Sequence, residues 1–230
     1  MKLAPICLLA ACGTTESSSL LTSGMSAVMS ASASGDGTTQ VSASLYSGDP
    51  DQLIFVDLQG SDKLTATHGS DTMTLGKLQV VTIIQYGATF QTDNANDQFT
   101  IDLSRSLDAG APSSTASLPA KLALGTLASS YSRASAITVT WSPSSTSDLM
   151  KWSVDSSCLQ PAGAQGLTDT GTLTIAAGTL LLEQGQNIPT SCMATLDVAR
   201  YRPGTLDSHF GHGGTIVGEQ IRSATFTTTP

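Results

Sequence analysis

The stretch Val80-Val81-Thr82-Ile83-Ile84-Gln85-Tyr86-Gly87-Ala88-Thr89-Phe90 decides the class of fold. Val80, Thr82, Ile84, Tyr86, Ala88 and Phe90 recur with period two, which places them on one face of extended backbone and predicts one long strand. The same period appears on both sides of it. Val41, Ala43 and Leu45 alternate with Gln40, Ser42 and Ser44, then Ile54, Val56 and Leu58 with Phe55 and Asp57. Phe99, Ile101 and Leu103 follow, and later Ile137, Val139 and Trp141, Met150, Trp152 and Val154, and Cys192, Ala194, Leu196 and Val198. No segment carries a sustained helical stripe. Turn formers separate the runs at 34–37, 48–51, 60–62, 69–71 and 93–97. Short strands every 8 to 15 residues with such turns predict an all-β chain of antiparallel β-sandwich type.

Within 230 residues this pattern divides in two. The stretch 109–119, with Gly110, Pro112, Ser113, Ser114 and Pro119, reads as a linker between a sandwich over 24–108 and a second over 120–230. Each half has the length of an immunoglobulin-like or fibronectin-like domain, and the fold expectation is therefore two tandem Ig-like sandwiches. The immunoglobulin pin itself is missing, because Trp141 and Trp152 both precede Cys158 instead of lying between the two cysteines. An internal echo supports the division: Phe99-Thr100-Ile101-Asp102-Leu103-Ser104-Arg105 matches Ala194-Thr195-Leu196-Asp197-Val198-Ala199-Arg200 at Thr, Asp and Arg. Each Arg falls in phase with the inward apolar residues, so its guanidinium is expected at the sheet rim or in solvent.

The first residues have a short basic start, Met1-Lys2, a mostly apolar run from Leu3 to Ala11, and small residues leading to Cys12. Leu9-Ala10-Ala11-Cys12 resembles the bacterial lipobox, in which the Cys is lipidated and becomes the mature N-terminus. That resemblance implies a lipoprotein signal peptide over 1–11, a diacylglyceryl thioether on Cys12 and two or three acyl chains, enough for a stable anchor. Gly13, in place of an Asp, implies the outer membrane rather than the inner one. Residues 12–23, rich in Gly, Ser and Thr, read as a flexible tether. Loss of Cys7 with the signal and lipidation of Cys12 leave Cys158 and Cys192, a lone pair expected to form a disulfide in an oxidising compartment. Closing a loop of ~35 residues stabilises a fold by ~3.8 kcal/mol in the chain-entropy relation.

Charge and composition exclude one class of partner. The formal net charge is -8, only 12% of residues are charged, and 32 Ser with 31 Thr dominate the polar surface. Ten Lys and Arg, never clustered, offer no stripe for phosphates, so no nucleic-acid partner is expected. The acidity is uneven: residues 24–110 carry ten Asp against Lys63, Lys77 and Arg105, and residues 115–230 carry seven acids against six bases.

Candidate chemistry is sparse. Asp207, His209 and His212 sit in a Gly-rich loop and are the weak candidates for a transition-metal site. Asp93 and Asp97, with Asn94 and Asn96, supply the oxygen ligands that calcium takes, although no window has the EF-hand spacing and these are also ordinary turn residues. No GxSxG elbow is present, and His68-Gly69-Ser70-Asp71 lies within one turn, too close in sequence for triad geometry. Arg200, Tyr201 and Arg202 form the best contact cluster for a partner. The functional expectation is a lipid-anchored envelope protein without a catalytic role, holding a protein or glycan partner or serving adhesion or structure. The alternatives are a glycan hydrolase using Glu183, Glu219 or an Asp, and a calcium-stabilised carbohydrate-binding module.

Overall fold

A computed structural model describes residues 13–185 and 187–230. The lipobox and Cys12 lie outside the described residues. Among those described, eighteen strands and three single-turn 3-10 segments make up the regular structure. The strands of the first half are β1 (Gly13–Glu16), β2 (Met25–Ala33), β3 (Thr39–Ser47), β4 (Ile54–Asp57), β5 (Lys63–His68), β6 (Asp71–Thr74), β7 (Gly76–Val80), β8 (Ile83–Phe90), β9 (Gln98–Ser104) and β10 (Ala111–Ser117). Those of the second are β11 (Ala123–Leu124), β12 (Ser130–Ser132), β13 (Ile137–Ser142), β14 (Leu149–Asp155), β15 (Ala162–Thr168), β16 (Thr172–Ile175), β17 (Cys192–Pro203) and β18 (Gly214–Thr229).

One large sheet runs in the order β1-β4-β3-β2-β18-β17-β14-β15, with β8 and β7 joined at β3 and β12 at β18. The sheet β10-β9-β5-β6 covers its first half, and the sheet β11-β13-β16 covers its second. Two apolar cores result. The first holds Met25, Met29, Leu45, Leu64, Ile84, Phe99, Ile101 and Leu103; the second holds Ile137, Val139, Met150, Leu196, Val198 and Phe226. The expected all-β sandwich architecture is thus present, and its two cores share a sheet. Pairing is antiparallel except at β1 with β4, β12 with β18, and β18 with β2.

β18 explains why the halves are joined. Its inward residues run from Ile216 in the first core, through Gln220, to Phe226 in the second. Residues 204–217 therefore return to the first half, where Phe210 and Ile216 pack. Gln220 pairs across the ladder with Arg200, and both are fully buried between the two cores. Arg200 donates to the carbonyls of Ala120 (2.8 Å), Lys121 (3.1 Å) and Pro143 (2.6 Å) and lies 2.8 Å from Asp169 Oδ2. Gln220 donates to the Asp93 carbonyl at 2.8 Å. A polar seam separates two apolar volumes; backbone carbonyls and Asp169 take the terminal nitrogens of Arg200, and its Nε is left without a hydrogen-bond partner.

Three sequence expectations change. The segment 109–119 is no linker: β10 pairs with β9, and Thr115 exchanges backbone hydrogen bonds of 2.8 and 2.9 Å with Thr205. Pro112 sits at the irregularity between Ala111 and Ser114 on this edge strand, where a ladder donor is not needed, and Pro119 follows the strand's end. A Cβ at Gly218 would stand 2.0 Å from the Ser117 carbonyl, so glycine there lets β18 pass against this strand. Residues 13–23 are no loose tether: β1 lies along β4, and Ser17 and Thr22 are buried. Finally, Val80 to Phe90 is a hairpin rather than one strand. The chain turns at Val81-Thr82, and only Ile84, Tyr86 and Phe90 of the six in-phase residues are buried.

Candidate functional site

The outward residues of β14, β17 and β18 form a continuous surface, because cross-strand partners share a face. Lys151 pairs with Ala199 and so with Ile221, Tyr201 pairs with Glu219, and Asp197 pairs with Ser153 and Ser223. Two hollows of about 520 and about 540 Å³ meet on this surface at Lys151 and Gln165. The first is lined by Trp152, Gly163, Asp197, Ala199 and Ile221; the second by Tyr201, Pro203, Leu206, Ile216, Val217 and Glu219. Together they make an open groove across the sheet.

Its polar groups are held in fixed positions. Lys151 Nζ lies 2.5 Å from Glu219 Oε1 and 5.8 Å from the centre of the Tyr201 ring. Glu219 is buried, so the lysine and the aromatic face that it covers are fixed by a partner that water barely reaches. The Tyr201 hydroxyl accepts the Gly166 N–H at 3.0 Å, which ties the ring to β15. Ser223 Oγ donates to Asp197 Oδ1 at 2.5 Å. The surface thus sets an aromatic ring beside a charged donor, an amide and a carboxylate, groups that can stack against apolar faces and hydrogen-bond to polar ones.

The residues singled out from sequence divide around this groove. Of Arg200, Tyr201 and Arg202, only Tyr201 belongs to it. Arg200 is buried in the seam, because even-numbered β17 residues face inward. Arg202 Nε and Nη2 lie 2.7 and 3.0 Å from the Asp148 carboxylate, with Nη1 3.0 Å from Asn96 Oδ1. The expected contact cluster is therefore dispersed by strand alternation. Arg105, the counterpart of Arg200 in the echo, is buried too and donates to the Ser17 and Leu20 carbonyls at 2.5 and 2.8 Å. Neither guanidinium reaches the rim.

Asp207, His209 and His212 do not converge. Asp207 accepts from Ser113 N–H (2.8 Å) and Oγ (2.7 Å) and from His209 N–H (2.9 Å), with His209 Nδ1 2.7 Å away. His212 instead lies 3.3 Å from Asp49. Burial raises the Asp207 carboxyl, but the bonds from Ser113 and His209 outweigh it and hold the group well below the usual carboxylate range. This side chain is a loop staple. Asp93 takes Lys121 Nζ at 2.6 Å, and Asp97 accepts from Thr92 Oγ1 and from Asn94 N–H at 3.1 Å. Among the described residues, no three His, Cys, Asp or Glu side chains group as metal ligands. Glu183 is exposed, and its backbone N–H donates to the Cys158 carbonyl. Cys158 and Cys192 stand at disulfide distance, with Cα atoms 6.4 Å apart. Lys151 and Gln165 were not singled out from sequence. Alternation in β14 does point Lys151 outward, but its meeting with Glu219, 68 residues away, depends on non-local pairing.

Compared with known proteins, the chain matches no family model and no curated protein.

Proposed function

We propose that this chain is a lipid-anchored cell-envelope protein with a non-catalytic binding role, and that the groove at Lys151, Tyr201, Glu219, Gln165 and Asp197 is its ligand surface. The lipobox resemblance supplies the anchor and its outer-membrane placement. The groove is the observation that carries the binding role, since its one central aromatic is held by both a hydrogen bond and a cation. An extended glycan suits it: sugar rings offer apolar faces to Tyr201 and hydroxyls to Lys151 and Gln165. Both carboxylates of the groove already have partners, which suits binding rather than acid–base chemistry: Glu219 is engaged by Lys151, and Asp197 accepts from Ser223.

Calorimetric titration with linear neutral and N-acetylated oligosaccharides tests this reading. Binding that falls at least tenfold in Tyr201→Ala, with the melting temperature kept, is expected. Equal affinity in the variant, or reducing ends released on incubation, would remove the binding reading in favour of another surface or of hydrolysis.

A further inference from the structure

The tip of the β7–β8 hairpin leaves four large apolar side chains outside: Leu78 is 62% exposed, Val80 59%, Val81 85% and Ile83 54%. Residues 78–84 carry no charge, although the half to which they belong is strongly acidic. The turn is unusual as well. Two-residue hairpin turns favour Asn and Gly at positions of positive φ, yet Val81 sits there at φ 56°. A β-branched residue in that region is strained. Neither solubility nor turn geometry selects valine at such a place, and the combination points to a contact made by the tip.

The ladder shows what lies beside it. β4 and β8 both run antiparallel to β3, with Tyr46 opposite Phe55 and Ala43 opposite Tyr86. The N-terminal ends of β4 and β8 therefore share one end of the sheet. β1 runs parallel to β4 with Gly13 opposite Ile54, so Gly13 lies at this end too. Gly13 directly follows Cys12. Leu53, 41% exposed at φ 52° in the β3–β4 connection, adds another apolar group there.

We propose that the β7–β8 tip inserts into the lipid surface beside the acylated Cys12, as a second membrane contact that fixes the orientation of the molecule. This rests on the lipid-anchor reading above. The occupant is lipid because the chain outside the described residues ends at this end of the sheet with the lipidation motif. An uncharged tip is also the part of an acidic half that can approach an anionic bilayer.

The full chain, produced in a bacterial host and extracted from its membranes, is weighed intact and reconstituted into phosphatidylethanolamine–phosphatidylglycerol vesicles with brominated acyl chains. Val81→Trp and Ile83→Trp each place an indole at the tip, and Thr174→Trp places one at an exposed position of β16. After subtraction of the parent signal, at least twofold quenching is expected at positions 81 and 83, with none at 174. An acylated protein quenched equally at all three positions overturns the role of the hairpin and leaves the anchor standing. A mass without acyl chains on Cys12 overturns both. A dimer that Val81→Asp dissociates, with no quenching at the tip, assigns these residues to a second copy of the chain and likewise overturns the proposal.

Discussion

Arg105 and Arg200 show how much a single position can hide. Their phase among inward apolar residues was legible, but the carbonyls that receive them come from distant turns, and sequence gives no sign of such partners. Arg200 lies with Asp169, whose carboxyl burial would raise but bonds from Thr146 and Trp141 and the charge of Arg200 hold down. Arg200→Met leaves that carboxylate buried without its counter-charge, though still bonded to Trp141 and Thr146, and is expected to cost ~3 kcal/mol in urea unfolding. Adding Asp169→Leu should recover much of the loss, because the charge is then gone. Acid acts through the same groups. Asp207 and Asp169 titrate lower in the folded state than the ~4 of an unfolded aspartate. Their stabilisation is thus complete above about pH 4 and drains away as pH falls below it. Melting curves from pH 6 to pH 2 should show this decline, and Asp207→Asn should be less stable at pH 6 but decline less steeply.

At the scale of the element, period two located most strands correctly because a buried face forces alternation whatever the partner. It failed where alternation continued through a turn, as at Val81-Thr82, and where a strand looked like a linker, as at β10. The two failures are opposite in kind: at β10, Ser, Thr and Pro on an edge strand resemble loop composition until a neighbour supplies the hydrogen bonds, whereas at Val81-Thr82 an apolar turn without Gly, Asn or Pro resembles strand composition. Removing the turn strain tests the hairpin on its own. Val81→Asn should hold or raise the melting temperature, since asparagine tolerates positive φ. The Cys158–Cys192 pair links the loop after β14 to the start of β17. Replacing both with Ser should cost ~3–4 kcal/mol under oxidising conditions and nothing further when the parent is also reduced. Gly218→Ala should destabilise more than an exposed strand substitution does, because its Cβ meets backbone that cannot yield.

For the whole molecule, two cores do not mean two folding units. β17 and β18 form one ladder that carries both the second core and the seam, and β18 continues into the first core. Calorimetry should therefore give one transition whose van 't Hoff and calorimetric enthalpies agree; two resolved peaks would mean that the seam uncouples the halves. The shared sheet also sets the functional layout. β1, which follows the lipobox-like stretch, and β15, which borders the groove, are its opposite edges, separated by roughly 34 Å over seven strand spacings. The boundary expected at 109–119 falls on β10, and the return of residues 204–217 was not legible either, since nothing local distinguishes it from a strand connection. The groove was equally hidden, because it is made by strands 15 to 70 residues apart. Its role as the ligand surface is tested most directly by amide chemical-shift mapping with a bound linear oligosaccharide. The expected shifts cluster at Lys151, Gly163, Gln165, Tyr201 and Glu219 and leave the first half unmoved; shifts confined to other strands, or none at saturating oligosaccharide, would contradict it.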